Sequence, residues 1–213
     1  MNGGVQEKLW SLLNQRRSSG RVLAVADILT ISTESGIVVG PEDLWSLGTR
    51  IVVGGGGEYL CPPAVASFIV ELLHGSKVSS VLDSWSGYAT LLRPVVEAVQ
   101  PTKWVGVVPN NEALGAARVM LPTLDIGEYR IGSTDGSALR SNDAFDLIVS
   151  VLPFGVKPRS FTVDGKELRD AGEHELLLRS ASRLKSGFPP LHKLSGVRGS
   201  SSSRAWPSLS DQI

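Results

Sequence analysis

The sequence predicts a doubly wound α/β fold, in which a parallel sheet is covered by helices. Two short apolar segments, residues 78–82 and 104–108, have the composition of buried strands, and segments with helical periodicity precede and follow them. A third apolar segment, residues 145–149, repeats the strand pattern later in the chain. Strands that alternate with helices are joined by crossover connections and lie parallel in one sheet. In such sheets ligands bind beyond the carboxyl ends of the strands.

Helices are predicted on either side of these strands. The segment before the first strand has apolar residues at the spacing of one helix face, with two prolines where the helix begins. Residues 91–99 and 112–121 carry two further helix patterns, and residues 175–184 carry the last one. The side chains that define the first and last of these helices are Val65, Phe68, Ile69, Leu72 and Leu73, and Glu175, Leu177, Leu178, Ala181 and Leu184.

The chain divides into three zones. Residues 1–57 form a helical or mixed lobe, with one amphipathic helix pattern followed by short apolar runs at 22–25, 37–39 and 51–53. The lobe ends in four glycines, interpreted as a flexible joint because no Lys-Ser/Thr follows them as a P-loop requires. Residues 58–185 carry the α/β pattern. Residues 186–213 are rich in serine, basic and aperiodic, which predicts a disordered tail; a tail that holds nucleic acid electrostatically is the alternative.

The composition limits the classes of partner. Lys plus Arg (21) equal Asp plus Glu (21), so no net charge attracts the protein to DNA, although a local basic patch would suffice. The single cysteine, Cys61, excludes an intramolecular disulfide, is consistent with a reducing compartment, and is predicted to be a small buried residue rather than a reactive thiol. No apolar run is long enough to span a bilayer, no signal peptide is evident, and the histidines lack metal spacing. We therefore expect a cytoplasmic protein without a membrane partner or a metal.

Three segments carry the functional signal. The strand that ends in Asp83 turns through Gly87, which would let the backbone approach a ligand closely. By itself this turn is a weak signal, because ordinary strand-to-helix turns share it. Its neighbours make it more specific: the chain reads GEYLCP at 57–62, VLDSWSG at 81–87 and FDLIVS at 145–150.

In order and spacing, these segments resemble the modification subunits of type I restriction-modification systems and related adenine-N6 DNA methyltransferases. In that family they read GEFYTP, VLDPACGSGGFL and FDLIVSNPPFG, and the resemblance covers residues 57–185. It implies a Rossmann-like class I methyltransferase sheet, incomplete on its carboxyl-terminal side, with a small N-terminal lobe. It also implies S-adenosylmethionine (SAM) as cofactor, DNA as substrate, and specificity or restriction subunits as partners.

The resemblance assigns roles to individual positions. Asp83 and Gly87 would hold the methionine moiety of the cofactor, and Asp135 would lie near its adenine ring. Among the catalytic positions, the carbonyl of Leu152 would orient the target amine, and a flipped adenine would stack on Phe154. The cofactor-binding set is thus Tyr59, Pro62, Asp83, Gly87 and Asp135, and the catalytic set is Leu152, Pro153 and Phe154.

The chain departs from the family at positions that matter for chemistry. Val151 occupies the place of an asparagine that accepts hydrogen bonds from the target amine, and valine has no acceptor. The strand at 104–108 ends without the carboxylate that would bind the cofactor ribose, which leaves Asn110 or Asn111 as a substitute. Trp85 is bulky for a loop that contacts a ligand. No strand pattern follows Gly187, which indicates a shifted reading frame or a truncation; an authentic divergent tail is the alternative.

The sequence therefore predicts a SAM-dependent adenine-N6 DNA methyltransferase-like protein with reduced cofactor affinity and little or no activity. Two alternatives stay open. One is a non-catalytic homologue that serves as a structural or binding partner in a restriction-modification assembly. The other is a methyltransferase that acts on RNA or protein, whose substrate motif need not contain asparagine. A nicotinamide dehydrogenase is disfavoured because the GxGxxG turn and its ribose-binding acid are missing.

Overall fold

A computed structural model describes residues 3–18, 23–51, 60–123, 125–133, 135–152, 157, 159–163, 166–170 and 172–185. Within these residues the chain forms helices and strands that alternate through its central part. The helices are α1 (Gly3–Ser18), α2 (Val25–Ser35), α3 (Pro41–Ile51), α4 (Pro63–Leu72), α5 (Leu92–Val99), α6 (Asn111–Met120) and α7 (Gly172–Ala181). The strands are β1 (Ser80–Asp83), β2 (Lys103–Val108), β3 (Gly127–Ile131), β4 (Leu147–Val149), β5 (Arg159–Val163) and β6 (Lys166–Asp170).

The described strands of the central sheet are all parallel and lie in the order β3-β2-β1-β4. Asp83, the last residue of β1, lies opposite Gly106 of β2 on one side and Val149 of β4 on the other. From β1 the chain adds β2 and β3 on one side and then adds β4 on the other side of β1. This change of side is the topological switch point of dinucleotide-binding sheets. The predicted Rossmann-like α/β fold class is confirmed, and the four strands of the described sheet are consistent with the prediction that it is incomplete on its carboxyl-terminal side.

Three strands were not predicted from the sequence: β3 of the central sheet, and the pair β5 and β6. Strand β3 contains charged residues, but Arg130 is buried because its guanidinium donates two hydrogen bonds to Asp143, at 2.5 and 3.2 Å. Burial alone would raise the pKa of Asp143, whereas the hydrogen bonds from Arg130 and from the backbone of Arg140 bring it below its usual value. Strands β5 and β6 form an antiparallel hairpin apart from the central sheet.

The N-terminal helices share a hydrophobic core with the central sheet. Helices α2 and α3 both contact α6, and α1 contacts α2 and α3. One cluster of buried side chains includes Leu9, Ile28 and Leu44 from these helices together with Trp104 and Val108 of β2. Of the predicted apolar runs, Val25 begins α2 and Ile51 ends α3, so all the regular elements described in this lobe are helices. The glycine joint predicted at 54–57 lies outside the described residues, and the domain boundaries stay a prediction.

Two of the predicted helices present a different face from the one expected. Helix α4 is confirmed, but Val65, Phe68 and Leu72 are exposed on it, with Phe68 at 59%. In the last helix, the pattern residue Leu177 is exposed on α7 and Leu184 is exposed after its end, whereas Leu176, outside the pattern, is buried. The reason is local pairing: Glu175 is buried because its carboxylate accepts a hydrogen bond from Arg179 Nε at 2.9 Å, four residues along the helix.

The chain after α7 reaches the free side of β4. Leu184 forms a parallel bridge with Phe145, just before β4, in which Phe145 N–H donates to Arg183 O and Lys185 N–H donates to Phe145 O. This is the position of a fifth strand in the order 3-2-1-4-5. The predicted tail, residues 186–213, lies outside the described residues. None of the helices described is both long enough and apolar enough to cross a lipid bilayer.

Candidate functional site

The site is built where the neighbouring strands β1 and β4 end. Because both strands are parallel and paired, the loop after Asp83 and the segment after Val149 leave the sheet at the same edge, side by side. The ends of β1 and β4 are therefore neighbours, whereas the predicted Pro153 and Phe154 further along the second segment lie outside the described residues. This edge is where parallel sheets bind ligands, since diverging loops open a crevice at the switch point.

The upstream segment at residues 60–62 is attached to the loop after β1. The backbone N–H of Cys61 donates to Thr90 Oγ1 at 2.9 Å, in a buried hydrogen bond. The carbonyl of Cys61 accepts a hydrogen bond from Trp45 Nε1 at 3.1 Å, which fixes the segment to α3. The described residues of the upstream segment, 60–62, are thus held against the loop after β1, and that loop leaves the sheet beside the end of β4.

The loop from 84 to 91 is sharply bent. Gly87 has φ of 51°, and a Cβ at this position would meet no atom within 4 Å, so a ligand can approach the backbone there. Ala89 also has a positive φ, 61°, a backbone conformation that is unfavourable for any residue with a Cβ. Ala89 occupies the place of the second glycine in the family loop quoted above. The Ser86 N–H donates to Val107 O at 2.6 Å and ties the loop to the end of β2.

Asp83 is a buried carboxylate at the base of this loop. Its side chain is 1% exposed, and Oδ1 accepts a hydrogen bond from Trp85 N–H at 3.2 Å. The Ser86 hydroxyl makes no hydrogen bond of ordinary geometry among the described residues, yet lies close enough to favour the ionised carboxylate. Burial outweighs both groups and raises the pKa of Asp83 from 3.8 to about 7. Asp83 is therefore poised to take up or release a proton near neutral pH, and a cationic ligand group beside it would favour the ionised form.

Two neighbours respond electrostatically to Asp83. Burial raises the pKa of the Cys61 thiol to about 11, and the charge of Asp83 adds to the effect. Cys61 is fully buried, which confirms the prediction of a small core residue. Tyr129 has a pKa raised by burial and then by Asp83, and its hydroxyl lies 3.0 Å from the carbonyl oxygens of Ala117 and Leu121. Neither side chain is activated as a nucleophile or base.

The structure places the predicted residues unevenly. Asp83 ends β1 and Gly87 lies in the loop that follows it, and Leu152 is half-buried after β4. Pro62 is exposed and starts α4, where its carbonyl accepts hydrogen bonds from Val65 N–H and Ala66 N–H at 3.0 Å. The predicted Tyr59, Pro153 and Phe154 lie outside the described residues.

Asp135 lies after β3, two strands away from β1, or about 10 Å at the usual strand spacing. Its carboxylate accepts a hydrogen bond from Ser137 N–H at 2.8 Å, so it shapes its own turn.

The departures read from the sequence have structural counterparts. Val151 packs against the main hydrophobic core, so this position contributes apolar contact where an asparagine would offer an acceptor. Val108 is buried at the end of β2. Of its two suggested substitutes, Asn110 caps α6 by accepting a hydrogen bond from Ala113 N–H at 2.8 Å, and Asn111 is exposed in the first turn. The residues fit a cofactor's amino-acid end better than its ribose.

Sequence reasoning overlooked two serines at the corners. Asp83 and Val149 lie opposite each other at the ends of β1 and β4. Ser84 directly follows Asp83, and Ser150 directly follows Val149. Both hydroxyl oxygens are buried, and neither finds a hydrogen-bond partner among the described residues. Buried polar groups are usually paired, so two orphans at adjacent strand ends indicate a place where a polar ligand group or water binds. The only sequence signal was that serine replaces the family's proline at 84.

No protein-family model matches the chain, and no curated protein matches it. Among solved structures, Streptomyces venezuelae DesVI aligns at 25% identity over 54% of this chain and 44% of its own, with a TM-score of 0.35. The plantazolicin methyltransferase BpumL, solved in complex with SAH, aligns at 18% identity over 85% of this chain and 58% of its own, with a TM-score of 0.41. The chain thus spans about half the length of the solved structures it matches.

Proposed function

We propose that this protein binds SAM at the carboxyl edge of its sheet and belongs functionally with the adenine-N6 DNA methyltransferases. The observation that carries the proposal is the convergence of three separate segments: the β1 corner, the β4 corner on the neighbouring parallel strand, and the upstream segment held by the Cys61–Thr90 hydrogen bond. Neighbouring corners occur in any parallel sheet, so the attached upstream segment is the feature that links this chain to the resembled family. A methyltransferase of the resembled family needs all three, because cofactor and target amine must meet.

In this proposal the cofactor and the acceptor amine meet between the two corners. The loop after Asp83 would hold the amino-acid end of the cofactor, since its backbone is open at Gly87 and its buried carboxylate suits an ammonium group. The corner after Val149 would hold the acceptor amine, and the carbonyl of Leu152 would orient it. Bound SAM supplies an electrophilic methyl group, and the protein's contribution is to align the amine with it.

A non-catalytic binding role is the second candidate, favoured by one specific observation. Val151 is packed into the core, which removes the acceptor that the family uses to orient the target amine. Preorganised hydrogen-bond acceptors and donors of this kind contribute about 3–4 kcal/mol each to lowering a barrier. We therefore expect cofactor binding to survive better than methyl transfer.

A calorimetric titration with SAM at pH 8 tests binding first, and a pair of matched glycine variants locates it. Gly87 and Gly75 both have positive φ and open space where a Cβ would stand, but Gly75 lies in the turn before β1, at the opposite edge of the sheet. We expect Gly87→Val to abolish the heat of binding and Gly75→Val to retain it. Absence of heat with the wild-type protein would refute the proposal.

Transfer of a labelled methyl group from SAM to adenine-containing duplex DNA then separates the two candidates. Slow formation of N6-methyladenine, faster in a Val151→Asn variant, supports the enzyme. SAM binding without transfer in either protein supports the non-catalytic role, and transfer to RNA or protein but not DNA would replace DNA as the substrate.

A further inference from the structure

We infer that Ser84 and Ser150 together form an acceptor site for the amine of the methyl acceptor, in place of the asparagine position now taken by Val151. The inference rests on the proposed function and names two residues that the resemblance does not assign. The same two hydroxyls would also select the substrate, because they recognise an amino group rather than a ring or a phosphate.

The register of the sheet brings the two serines together. Asp83 and Val149 are opposite each other in the β1–β4 ladder, and the serines are the next residues on each strand. Leu82 and Ile148, two residues earlier, belong to one apolar cluster on one face of the sheet. Side chains alternate along a strand, and Ser84 and Ser150 are the first residues beyond the two strand ends, so in this proposal they continue that face.

Val151 belongs with the opposite face of the sheet and has no hydrogen-bond acceptor for an amine. Val149 and Val151 belong to or pack against the other, larger cluster. At the β4 corner the acceptor function has thus moved by one residue and to the other face.

Neither hydroxyl has a hydrogen-bond partner in the described part of the chain. Ser84 is 1% exposed, and the oxygens of both serines are buried without a hydrogen bond to each other or to any other residue that the structure describes. Backbones of neighbouring strands are about 4.8 Å apart, so one nitrogen placed between them can lie within hydrogen-bonding distance of both oxygens.

The chemistry of the pair favours an amine. An amino group has two hydrogens and can donate one to each hydroxyl oxygen, which satisfies both serines at once. A phosphate or carboxylate would place a negative charge next to buried Asp83, the residue adjacent to Ser84. An amine brings no such repulsion.

The test compares two oligonucleotides that differ by one amino group. One single-stranded DNA carries a single adenine, and the other carries unsubstituted purine at the same position. Their affinities are measured by fluorescence anisotropy with SAH present at saturation. We expect wild-type protein to prefer adenine by about 5- to 10-fold, the value of one to two ordinary hydrogen bonds. In Ser84→Ala and Ser150→Ala the preference should fall, and in the double variant it should vanish.

A matched control and a crystal structure make each outcome decisive. Ser11→Ala, exposed on α1, should keep the full preference. If SAH binds and the serine variants still prefer adenine, or if neither oligonucleotide binds, the inference fails while the cofactor part of the proposed function stands. An ordered water that bridges both hydroxyls in the adenine complex would also overturn it. Absence of SAH binding would overturn both.

Discussion

Replacement of Asp83 by asparagine should stabilise the protein at alkaline pH. The carboxyl group is buried, and its pKa is raised from 3.8 to about 7. Between these two values the unfolded chain releases the proton while the native protein keeps it. The native state therefore binds more protons, and the free energy of unfolding falls as pH rises through this window. Above pH 7 the cost of the buried charge is complete.

The size of the effect follows from the two pKa values. A gap of about three pH units corresponds to about 4 kcal/mol once both states are ionised, at ~1.4 kcal/mol per unit. At pH 5 only about 1.5 kcal/mol of this cost is present, so the wild-type protein should lose roughly 3 kcal/mol between pH 5 and pH 8 through this group. Asparagine is uncharged at both pH values and removes the dependence.

Urea unfolding at pH 5 and pH 8 measures the effect in wild-type protein, Asp83→Asn, and the exposed control Asp125→Asn. The stability difference between Asp83→Asn and wild type should grow by roughly 3 kcal/mol from the lower to the higher pH, because groups shared by the two proteins cancel. The control should follow wild type. Equal pH dependence in all three proteins would refute the account of Asp83 as a buried carboxylate without sufficient hydrogen bonds.

Three further substitutions test the site by thermal or urea unfolding. Ala89→Gly should stabilise by about 0.5–1 kcal/mol, because relief of the positive φ exceeds the added flexibility of the unfolded chain; destabilisation would contradict a strained loop. Gly106→Ala should lower the free energy of unfolding by about 2 kcal/mol, since its Cβ would lie 2.8 Å from the Tyr129 ring and 2.9 Å from Leu92. An unchanged stability would mean that Tyr129 and Leu92 pack less tightly against Gly106 than the structure shows. Ser84→Ala should raise the stability of the ligand-free protein by up to about 1 kcal/mol, because it removes an unpaired buried hydroxyl; a marked loss would reveal a hidden partner.

The strands in predominantly apolar segments were predictable from sequence, and the more polar strands were not. Strands β1, β2 and β4 fall in such segments; β1 and β2 are almost fully buried, whereas β4 is only partly buried. Strand β3 was missed because Arg130 interrupts its apolar pattern, and its burial depends on Asp143, a partner thirteen residues away. The β5–β6 hairpin is polar, although the Asp164-Gly165 pair between its strands is a known hairpin signal.

Helix patterns identified helices but not their buried faces. Phe68 has the spacing of a core residue and is exposed, because spacing alone does not say which neighbour a face will meet. Glu175, a charged member of the helix pattern, is buried and paired with Arg179 four residues further on. In the site, Asp83 and Gly87 could be found from the loop that they form, whereas Ser84 and Ser150 acquire meaning only when the register places them side by side.

The central claim is that the β1 and β4 corners form one crevice for a nucleoside cofactor, and amide NMR tests it residue by residue. Titration of ¹⁵N-labelled protein with SAH should shift the backbone signals of Trp85, Gly87 and Ser150 together, while those of Gly36 and Gly75 stay in place. Shifts confined to residues away from the two corners, or none at millimolar SAH, would contradict the account.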